Sequence, residues 1–502
     1  MVAHRRGSSR RRSPLRWTVA LVALTAVLLS ACTGSGPTGQ AGSAKRPNIV
    51  FVLTDDLSTD LVQYMPHVEA LADRGTSFSH YYVVDSLCCP SRSAIFTGMY
   101  PHDDGVFRNI VTKAGDGGYV AFQAHHDENK TYATSLHAGG YRTAMMGKYL
   151  NGYLPTDDVA PGWDEWDVGG GAYSEYDYVL NQDGIGVQYG HDPSDYLTNV
   201  LSHRGGDFID RASKSTKPFA LEVATYAPHL PATPGPGFEH SFPNMRAPHG
   251  PAWDTLPSNA PSWLANFPRL NANNIANINS VYRRRVQSAQ SVDLMVAHLE
   301  QRLRADHELH NTYFVFSSDN GFHTGQYRML PGKQTAFDTD IRVPLIVTGP
   351  GVPAGRTVSA MTSSIDLTPT FEDIAGSKPT GDVDGVSLLS LMHGGSVPAD
   401  WQKAVLIEHH GPDFNHPRDP DFQVRRAGDP PSYEAIRTAN ALYVEYRNGE
   451  REYYDTRTDP DELHNLAYTP SADASMQQLH TTLQALEHCH GATQCQQAAA
   501  PS

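Results

Sequence analysis

Residues 48–56 have the sequence NIVFVLTDD, a mostly apolar run that ends in one threonine and two aspartates. A continuous run of this kind is typical of a strand buried on both faces of a parallel sheet. Helical patterns followed by strand patterns recur downstream, at 131–147, 196–226 and 281–316, and a further strand pattern lies at 343–347. Alternating strands and helices over about 330 residues predict an α/β fold with a doubly wound sheet.

The C-terminal part has a different pattern. Two strand-like segments, 443–447 and 450–454, flank Asn448-Gly449, a dipeptide that favours a type I′ hairpin turn. We therefore predict a smaller subdomain at 396–488, with an antiparallel sheet and a terminal helix. The Pro- and Asn-rich segment 230–275 lacks periodicity, which predicts a long surface insertion.

Composition excludes several classes of protein. The chain has 502 residues, of which 39% are apolar and 19% charged, and its 24 Tyr, 17 Phe and 6 Trp argue against disorder. The net charge of −15 argues against a nucleic-acid partner, because an acidic protein lacks the positive potential that attracts phosphates. The length allows two or three domains, or one large α/β domain with an appendage.

The N-terminus has the pattern of an export signal. Residues 1–16 contain six arginines and no acid, and residues 17–31 are apolar but too short to span a bilayer comfortably. The segment ends in LSAC (29–32), which resembles the bacterial lipobox. This resemblance implies cleavage of 1–31, lipidation of Cys32 and anchoring to the outer face of the cell membrane; the alternative is an ordinary signal peptide. Residues 32–46 are mostly small and polar and predict a flexible tether.

The other four cysteines form two pairs. Cys489 and Cys495 lie close together near the C-terminus, and in an exported protein they predict a small disulfide loop within the tail 489–502. Cys88 and Cys89 are sequence neighbours, so a bridge between them is strained and they need a different explanation.

Residues 87–98, LCCPSRSAIFTG, surround that second pair. Pro90 fits the first position of a helix that runs to Gly98. Cys88 then lies at the helix N-terminus, where backbone N–H groups favour an anion, and Arg92 lies one turn later and can reach back. The sequence therefore predicts an anion pocket that contains a thiol; the alternative is a buried cysteine pair that caps a helix.

Polar side chains also follow two of the predicted strands. Asp55 and Asp56 follow the strand at 48–53, and Asp319 and Asn320 follow the strand at 313–316. In an α/β sheet both strand ends open on the same carboxyl edge. Three carboxylates and an amide offer only oxygen ligands, which select Ca²⁺ or Mg²⁺. The alternative for Asp55-Asp56 alone is a cap or a turn.

The Cys-x-Pro-Ser-Arg motif at 88–92, followed by Thr97-Gly98, is similar to the signature of the sulfatase family. Residues 147–151 (GKYLN) and 318–326 (SDNGFHTGQ) resemble the N-acetylglucosamine-6-sulfatases and extracellular endosulfatases of that family. The resemblance covers residues 47 to about 467. It implies an alkaline-phosphatase-like mixed sheet flanked by helices, a catalytic domain at 47–395 and hydrolysis of a sulfate ester.

The resemblance also implies site residues and a maturation partner. Cys88 would be oxidised to Cα-formylglycine by a formylglycine-generating enzyme, and the aldehyde hydrate would attack sulfur. The implied ligands of Ca²⁺, or less favourably Mg²⁺, are residue 88 and the side chains at the two strand ends: Asp55, Asp56, Cys88, Asp319 and Asn320. The residues implied to act on the sulfate are Arg92, Lys148, His229 and Lys333.

One position departs from the family pattern. Many sulfatases carry a histidine two residues beyond the position of Lys148, where this chain has Leu150. His323 is our candidate for the missing base of the second step, and a substrate contact is the alternative for it.

The implied substrate is a sulfated sugar, in particular 6-O-sulfated glucosamine or N-acetylglucosamine. Arg328 is a candidate for capturing the sulfate. Glu408 and His409-His410 are candidates for contacting sugar hydroxyls, with a surface turn as the alternative. Three other functions stay open: a general arylsulfatase, a phosphodiesterase or phosphonate hydrolase on the same fold, and a glycan-binding lipoprotein whose Cys88 is not converted.

Overall fold

The computed structural model describes residues 45–413, 416 and 419–500, which belong to one compact unit, Lys45–Ser502. The strands of the described residues are β1 (Asn48–Thr54), β2 (Thr76–Phe78), β3 (Tyr81–Tyr82), β4 (Arg142–Lys148), β5 (Glu165–Gly169), β6 (Val179–Gln182), β7 (Ile185–Gln188), β8 (Phe219–Ala224), β9 (Thr312–Ser318), β10 (Leu345–Thr348), β11 (Arg356–Val358), β12 (Thr362–Ser363), β13 (Ala404–His409), β14 (Tyr433–Thr438), β15 (Ala441–Tyr446) and β16 (Arg451–Asp455). The helices are α1 (Pro66–Asp73), α2 (Cys88–Thr97), α3 (Pro101–Asp104), α4 (Gly118–Ala124), α5 (Tyr132–Ala138), α6 (Leu197–Ala212), α7 (Ala272–Ala305), α8 (Asp338–Ile341), α9 (Leu367–Ala375), α10 (Leu389–Met392), α11 (Asp473–Leu486) and α12 (Ala492–Ala499).

Three predictions at the N-terminus lie outside the described residues. These are the signal peptide at 1–31, the lipidation of Cys32 and all but the last two residues of the tether. Within the described part of the chain, the structure contains no helix with the length and apolar character needed to cross a membrane.

The main sheet is mixed. Within the described chain it has ten strands, in the order β11-β2-β10-β9-β1-β8-β4-β5-β6-β7. The five central strands from β9 to β5 run parallel, while β10, β6 and β7 pair antiparallel with their neighbours. This confirms the predicted mixed α/β fold. The predicted strand at 343–347 is β10, at Leu345–Thr348.

Strand β1 shows why the sequence had no alternation of apolar and polar residues. Every residue of β1 is buried. Phe51 packs into a core on one face with Leu136 of α5 and Phe371 of α9, while Val50 packs into a core on the other face with Val286 of α7. Because successive side chains of a strand point to opposite faces, helices on both faces require an apolar residue at nearly every position.

The C-terminal part confirms the predicted antiparallel sheet plus helix, with strand order β13-β14-β15-β16 and α11 following. The predicted type I′ turn is wrong. Gly449 has φ 87°, whereas Asn448 does not adopt a positive φ, and the Gly449 N–H donates to the carbonyl of Tyr446. The loop therefore has three residues, 447–449, with only its last residue in the left-handed region.

The residues between β8 and α7, all of which the structure describes, form no helix or strand, as the lack of periodicity in their sequence predicted. It is only partly a surface insertion, because Trp263, Leu264 and Phe267 are buried. The Trp263 indole donates to the Tyr446 hydroxyl at 3.0 Å, which attaches the insertion to the C-terminal sheet.

Candidate active site

Polar side chains collect at the carboxyl edge of the main sheet, where its parallel strands end. They come from the end of β4 or from the residues just after β1, β8 and β9, and they are Lys148, Asp55, Asp56, His229, Asp319 and Asn320. The Asp319 N–H donates to the Thr54 carbonyl at 3.1 Å, and the Asp56 N–H donates to the Asp319 carboxylate at 3.1 Å. The parallel pairing of β1 with β9 thus brings the two acidic strand ends together.

The oxygen-bearing side chains at these strand ends fit a hard cation. Ligand atoms of Asp55, Asp56, Cys88 and His229 lie within 4.8 Å of one another, and all four residues are buried. Asn320 donates its amide N–H to Asp56 at 2.7 Å, and its amide oxygen is buried without a partner among the described residues. An orphaned amide oxygen beside clustered carboxylates is the environment that Ca²⁺ or Mg²⁺ satisfies.

Helix α2 carries the thiol of Cys88 into this cluster. The helix begins at Cys88, so the prediction that Pro90 is its first residue is wrong by two positions. Its last residue is Thr97, and Gly98, with φ 73°, caps its C-terminus, one residue from the predicted end. The Cys88 thiol donates to Asp55 at 3.3 Å and accepts from the Lys333 ammonium at 2.7 Å. Burial, Asp421 and Asp55 raise the pKa of Cys88 well above its usual value, which keeps the group a neutral thiol.

Cys89 has a different environment. It is buried in the apolar core on one face of the main sheet, and burial raises the pKa of its thiol to about 12. Its backbone N–H donates to Asn109 at 2.9 Å. Only Cys88 of the pair therefore lies among the charged groups.

Each acidic side chain of the cluster has a cationic partner. Asp55 pairs with Lys148 at 2.6 Å, Asp56 with Lys333 at 2.7 Å, and Asp319 with Arg92 at 2.7 Å. Burial alone would raise the pKa of Asp55, but Lys148 and then His229 outweigh it and hold that pKa below its usual value. The same burial, with Asp55 nearby, raises the pKa of Asp319 to about 6.

The position of Arg92 in the sequence predicts that it reaches back to the helix N-terminus, and the structure shows that it does not. Its guanidinium binds the Asp319 carboxylate and donates to the Lys148 carbonyl at 2.9 Å. Arg92 is completely buried and fixes the orientation of Asp319, while its Nη2 has no hydrogen-bond partner among the described residues. A contact between Arg92 and the sulfate therefore stays a prediction.

His229 lies on the other side of the carboxylates. Its Nδ1 contacts the Leu230 carbonyl at 2.6 Å, and its Nε2 contacts the carboxylate of Asp421 and lies 3.6 Å from Asp56. Burial lowers its pKa, but Asp421 and Asp56 outweigh burial and raise it to about 9. His229 is therefore an imidazolium at neutral pH and can donate a proton.

Asp421 was missed by the sequence analysis. It is buried and accepts hydrogen bonds from Asn109 at 2.9 Å and Asn151 at 3.0 Å, in addition to its contacts with His229 and with Lys333 at 2.9 Å. It lies in an irregular stretch outside every recognised motif, so no local pattern points to it.

His323 is held by Asp340, whose two carboxylate oxygens each lie 3.0 Å from Nδ1. Its Nε2 is buried and has no partner within the described chain. The backbone of His323 pairs with that of Gly332, next to Lys333. A role as a base and a role as a substrate contact both stay predictions.

A cavity of about 440 Å³ opens beside Lys148. Four tyrosines line it together with charged and apolar side chains, and the lining includes Tyr119, Tyr153, Tyr173, Tyr226, Lys148, Leu150 and Asp419. The Lys148 ammonium lies 5.0 Å from the centre of the Tyr173 ring. This volume accommodates a small organic molecule whose charged group points at the cluster.

Three residues expected near the substrate are placed elsewhere. Glu408 and His409 belong to β13 and are buried, so the alternative of a surface turn is wrong for them. Neither residue lines the cavity beside Lys148, and Glu408 binds His102. Arg328 donates to the carbonyls of Asp254 and Phe267, away from the cavity lining.

Comparison with known proteins identifies the family. The sequence model of the family described as "Sulfatase" matches residues 47–377, and one described as "N-sulphoglucosamine sulphohydrolase, C-terminal" matches residues 325–489. The chain belongs to the sulfatase family. It is accordingly a sulfuric ester hydrolase, as the motif around Cys88 predicted.

Individual sulfatases are similar over most of the chain. The N-acetylglucosamine-6-sulfatase of Homo sapiens is 34% identical, over 97% of this chain and 92% of its own. The N-acetylglucosamine-6-O-sulfatase of Bacteroides thetaiotaomicron is 27% identical, over 89% and 86%. A solved protein described in complex with its substrate D-glucosamine-2-N,6-O-disulfate has a TM-score of 0.71 and 25% identity, over 88% and 97% of the two chains.

We expect Asp421→Asn to lower kcat/KM by about 10- to 100-fold, as for other groups that orient ligating or catalytic side chains. The amide keeps the size of the side chain but removes the negative charge that holds the Lys333 ammonium and the His229 imidazolium. Steady-state kinetics of sulfate release would measure the loss. Asp400→Asn, at an exposed carboxyl, is the control. Equal kinetics for both variants would show that Asp421 has no part in the site.

Proposed function

We propose that this sulfatase removes the 6-O-sulfate of glucosamine or N-acetylglucosamine, with a formylglycine formed from Cys88 and a bound Ca²⁺. The observation that carries the proposal is the position of Cys88, which is completely buried between Asp55 and Lys333 at the start of α2. The name of the human relative supports the substrate, because the similarity covers nearly the whole chain.

The two implied groups supply what the side chains lack. In the structure residue 88 carries a thiol. The proposed reaction uses the hydrate of an aldehyde at this position. Its two hydroxyls, on one carbon, allow one to attack sulfur and the other to release sulfate afterwards. Asp55, Asp56, Asp319 and Asn320 would hold Ca²⁺, which would supply positive charge for the sulfate oxygens and the nucleophile.

The side chains of the chain then have distinct tasks. Lys333, with its ammonium 2.7 Å from the Cys88 sulfur, and Lys148, a buried residue of the cavity lining, stabilise the negative charge that builds on the sulfate oxygens. The imidazolium of His229 donates a proton to the sugar oxygen as the S–O bond breaks. Asp319, oriented by Arg92, is our candidate to accept the proton of the attacking hydroxyl.

The cavity supports a sugar as the leaving group. Tyr119, Tyr153 and Tyr173 give the lining aromatic surface that suits the apolar face of a pyranose, and the volume of about 440 Å³ suits one sugar residue with its substituents. The fold does not distinguish this from other ester hydrolyses: a solved phosphonate monoester hydrolase of Agrobacterium radiobacter has a TM-score of 0.68 at 22% identity, which shows the fold alone.

A matched substrate panel tests the proposal. It contains glucosamine-6-sulfate, N-acetylglucosamine-6-sulfate, galactose-6-sulfate, an N-sulfated glucosamine, an aryl sulfate and a phosphodiester. We expect the highest kcat/KM for one of the two glucosamine-6-sulfates. Rapid hydrolysis of the aryl sulfate with every sugar untouched would indicate a general arylsulfatase, and a preference for the phosphodiester would overturn the proposal.

We also propose that the protein is exported and anchored by a lipid on Cys32. The wild-type chain is then expected in the membrane fraction, and Cys32→Ser is expected to lose the lipid and leave that fraction. Fractionation followed by mass spectrometry of the mature N-terminus measures both. Wild-type protein in the soluble fraction, with a mature N-terminus at another residue, would contradict the anchor.

A further inference from the structure

A second group of metal-ligating side chains lies outside the active-site cluster. His102 and Asp103 belong to the short helix α3, and His490 belongs to the loop that the Cys489–Cys495 disulfide closes. One ligand atom from each of the three lies within 4.8 Å of the other two. We propose that His102, Asp103 and His490 bind a Zn²⁺ ion, with water in the fourth position.

The donor set selects the metal. Two imidazoles and one carboxylate suit Zn²⁺, whereas Ca²⁺ prefers a shell of six to eight oxygens. The His490 ring nitrogen Nδ1 contacts the Asp103 carboxylate, and the ring centroids of His102 and His490 are 5.9 Å apart. Binding would bring these ligand atoms, which lie within 4.8 Å of one another, to about 2 Å from one ion.

His102 has the partner that a ligating histidine needs. Its Nδ1 lies 2.9 Å from the carboxylate of Glu408, a buried residue of β13, and its ring stacks on Tyr100 at 5.5 Å. A carboxylate on one ring nitrogen fixes the tautomer that presents the other nitrogen to a metal. That other nitrogen, Nε2, lies 2.9 Å from the Cys489 carbonyl. Burial lowers the pKa of His102, but both ring nitrogens face acceptors, and Glu408 and the Cys489 carbonyl outweigh burial and raise that pKa to about 10. Zn²⁺ binding would therefore have to displace the proton on Nε2 together with this contact.

The backbone around the three ligands is held in place from both sides. The buried Asp384 carboxylate accepts from the Tyr100 N–H at 2.8 Å and from the Gly491 N–H at 2.7 Å. Tyr100 precedes α3 and Gly491 follows His490, so one side chain ties both ligand-bearing segments together. The disulfide further restricts His490, because Cys489 is completely buried.

An adjacent cavity gives a cation access from solvent. It has a volume of about 620 Å³, and its charged and titratable lining comprises Asp103, Asp382, Asp384, His490 and Lys130. Lys130 is paired with Asp127 at 2.8 Å, so the three aspartates leave a negative potential at the mouth. A bound Zn²⁺ would join the C-terminal disulfide loop to α3, which follows the helix of Cys88.

Zn²⁺ binding to the full, Ca²⁺-loaded chain tests the site. We expect one Zn²⁺ per wild-type chain by equilibrium dialysis and metal analysis, and an affinity at least 10-fold lower in His490→Ala. His490 is mostly exposed, so this variant should fold, and Asp103→Asn should weaken binding in the same way. His488→Ala, at an exposed histidine two residues away, should bind like wild type.

Two further measurements separate this site from the active site. Repeating the titration in Cys88→Ala protein removes the active-site thiol, and the difference between His488→Ala and His490→Ala should persist. Zn²⁺ should raise the thermal unfolding temperature of wild-type protein but not of His490→Ala. Equal Zn²⁺ affinity and stoichiometry in wild type and His490→Ala, or no Zn²⁺ bound by either, would overturn the proposal.

Discussion

Cys88→Ala is expected to fold normally and to lose sulfate release by at least about 10⁴-fold, since removal of a covalent nucleophile leaves only binding and charge stabilisation. Cys89→Ala should keep most of its activity. Its thiol lies in the apolar core, so its loss should cost about 1 kcal/mol of folding stability instead. Kinetics with a sulfated sugar and thermal unfolding of both variants give the two comparisons.

The reason for this asymmetry is the environment of the two thiols. Cys88 contacts Asp55 and Lys333, whereas Cys89 contacts none of the charged groups of the site by hydrogen bond. Mass spectrometry of the peptide around residues 88 and 89 should find an aldehyde at 88 and a thiol at 89. An unmodified thiol at 88 in active protein, or activity that survives Cys88→Ala but not Cys89→Ala, would refute the assignment.

The acidic part of the site was predictable because it depends on strand ends. Apolar strands at 48–54 and 312–318 can be recognised by composition, and parallel strands place the residues that follow them on one edge. The proximity of Asp55-Asp56 to Asp319-Asn320 therefore follows from the sequence pattern and the fold class together. The motif around Cys88 added the helix that brings a thiol to the same edge.

The remaining contacts depend on long-range packing that no local pattern encodes. Asp421 reaches His229 and Lys333 from the irregular stretch between β13 and β14. Arg92 binds Asp319 because helix α2 packs against the strand ends, which its helical position alone does not reveal. Glu408 and His409 were misplaced because charged residues at the end of a short apolar run resemble a turn, whereas both belong to the buried strand β13.

Binding of a divalent cation is expected to change the ion pairs that the carboxylates of the site make. In the structure Lys148 pairs with Asp55, and Lys333 pairs with Asp56. A divalent cation on the carboxylates would take over this charge compensation and leave both ammonium groups to bind sulfate oxygens. Ca²⁺ therefore has two effects in our proposal: it completes a buried ligand set, and it releases Lys148 and Lys333 for the substrate.

Asp56→Ala should accordingly lose Ca²⁺ affinity and activity together, each by at least about 100-fold, because the site loses a ligand and Lys333 keeps only one of its two buried carboxylate partners, Asp421. Wild-type protein should gain about 2.7 kcal/mol of unfolding free energy when free Ca²⁺ is 100 times its Kd, and the variant should gain much less at the same concentration. Calcium content after dialysis and calcium-dependent thermal unfolding measure the site without an activity assay.

Asp73→Asn, at an exposed carboxyl, should match wild type in both measurements. Full activity of the wild-type enzyme after exhaustive chelation, with no metal detected in the protein, would exclude a catalytic cation. The three ion pairs of Asp55, Asp56 and Asp319 would then be the arrangement that the active enzyme uses.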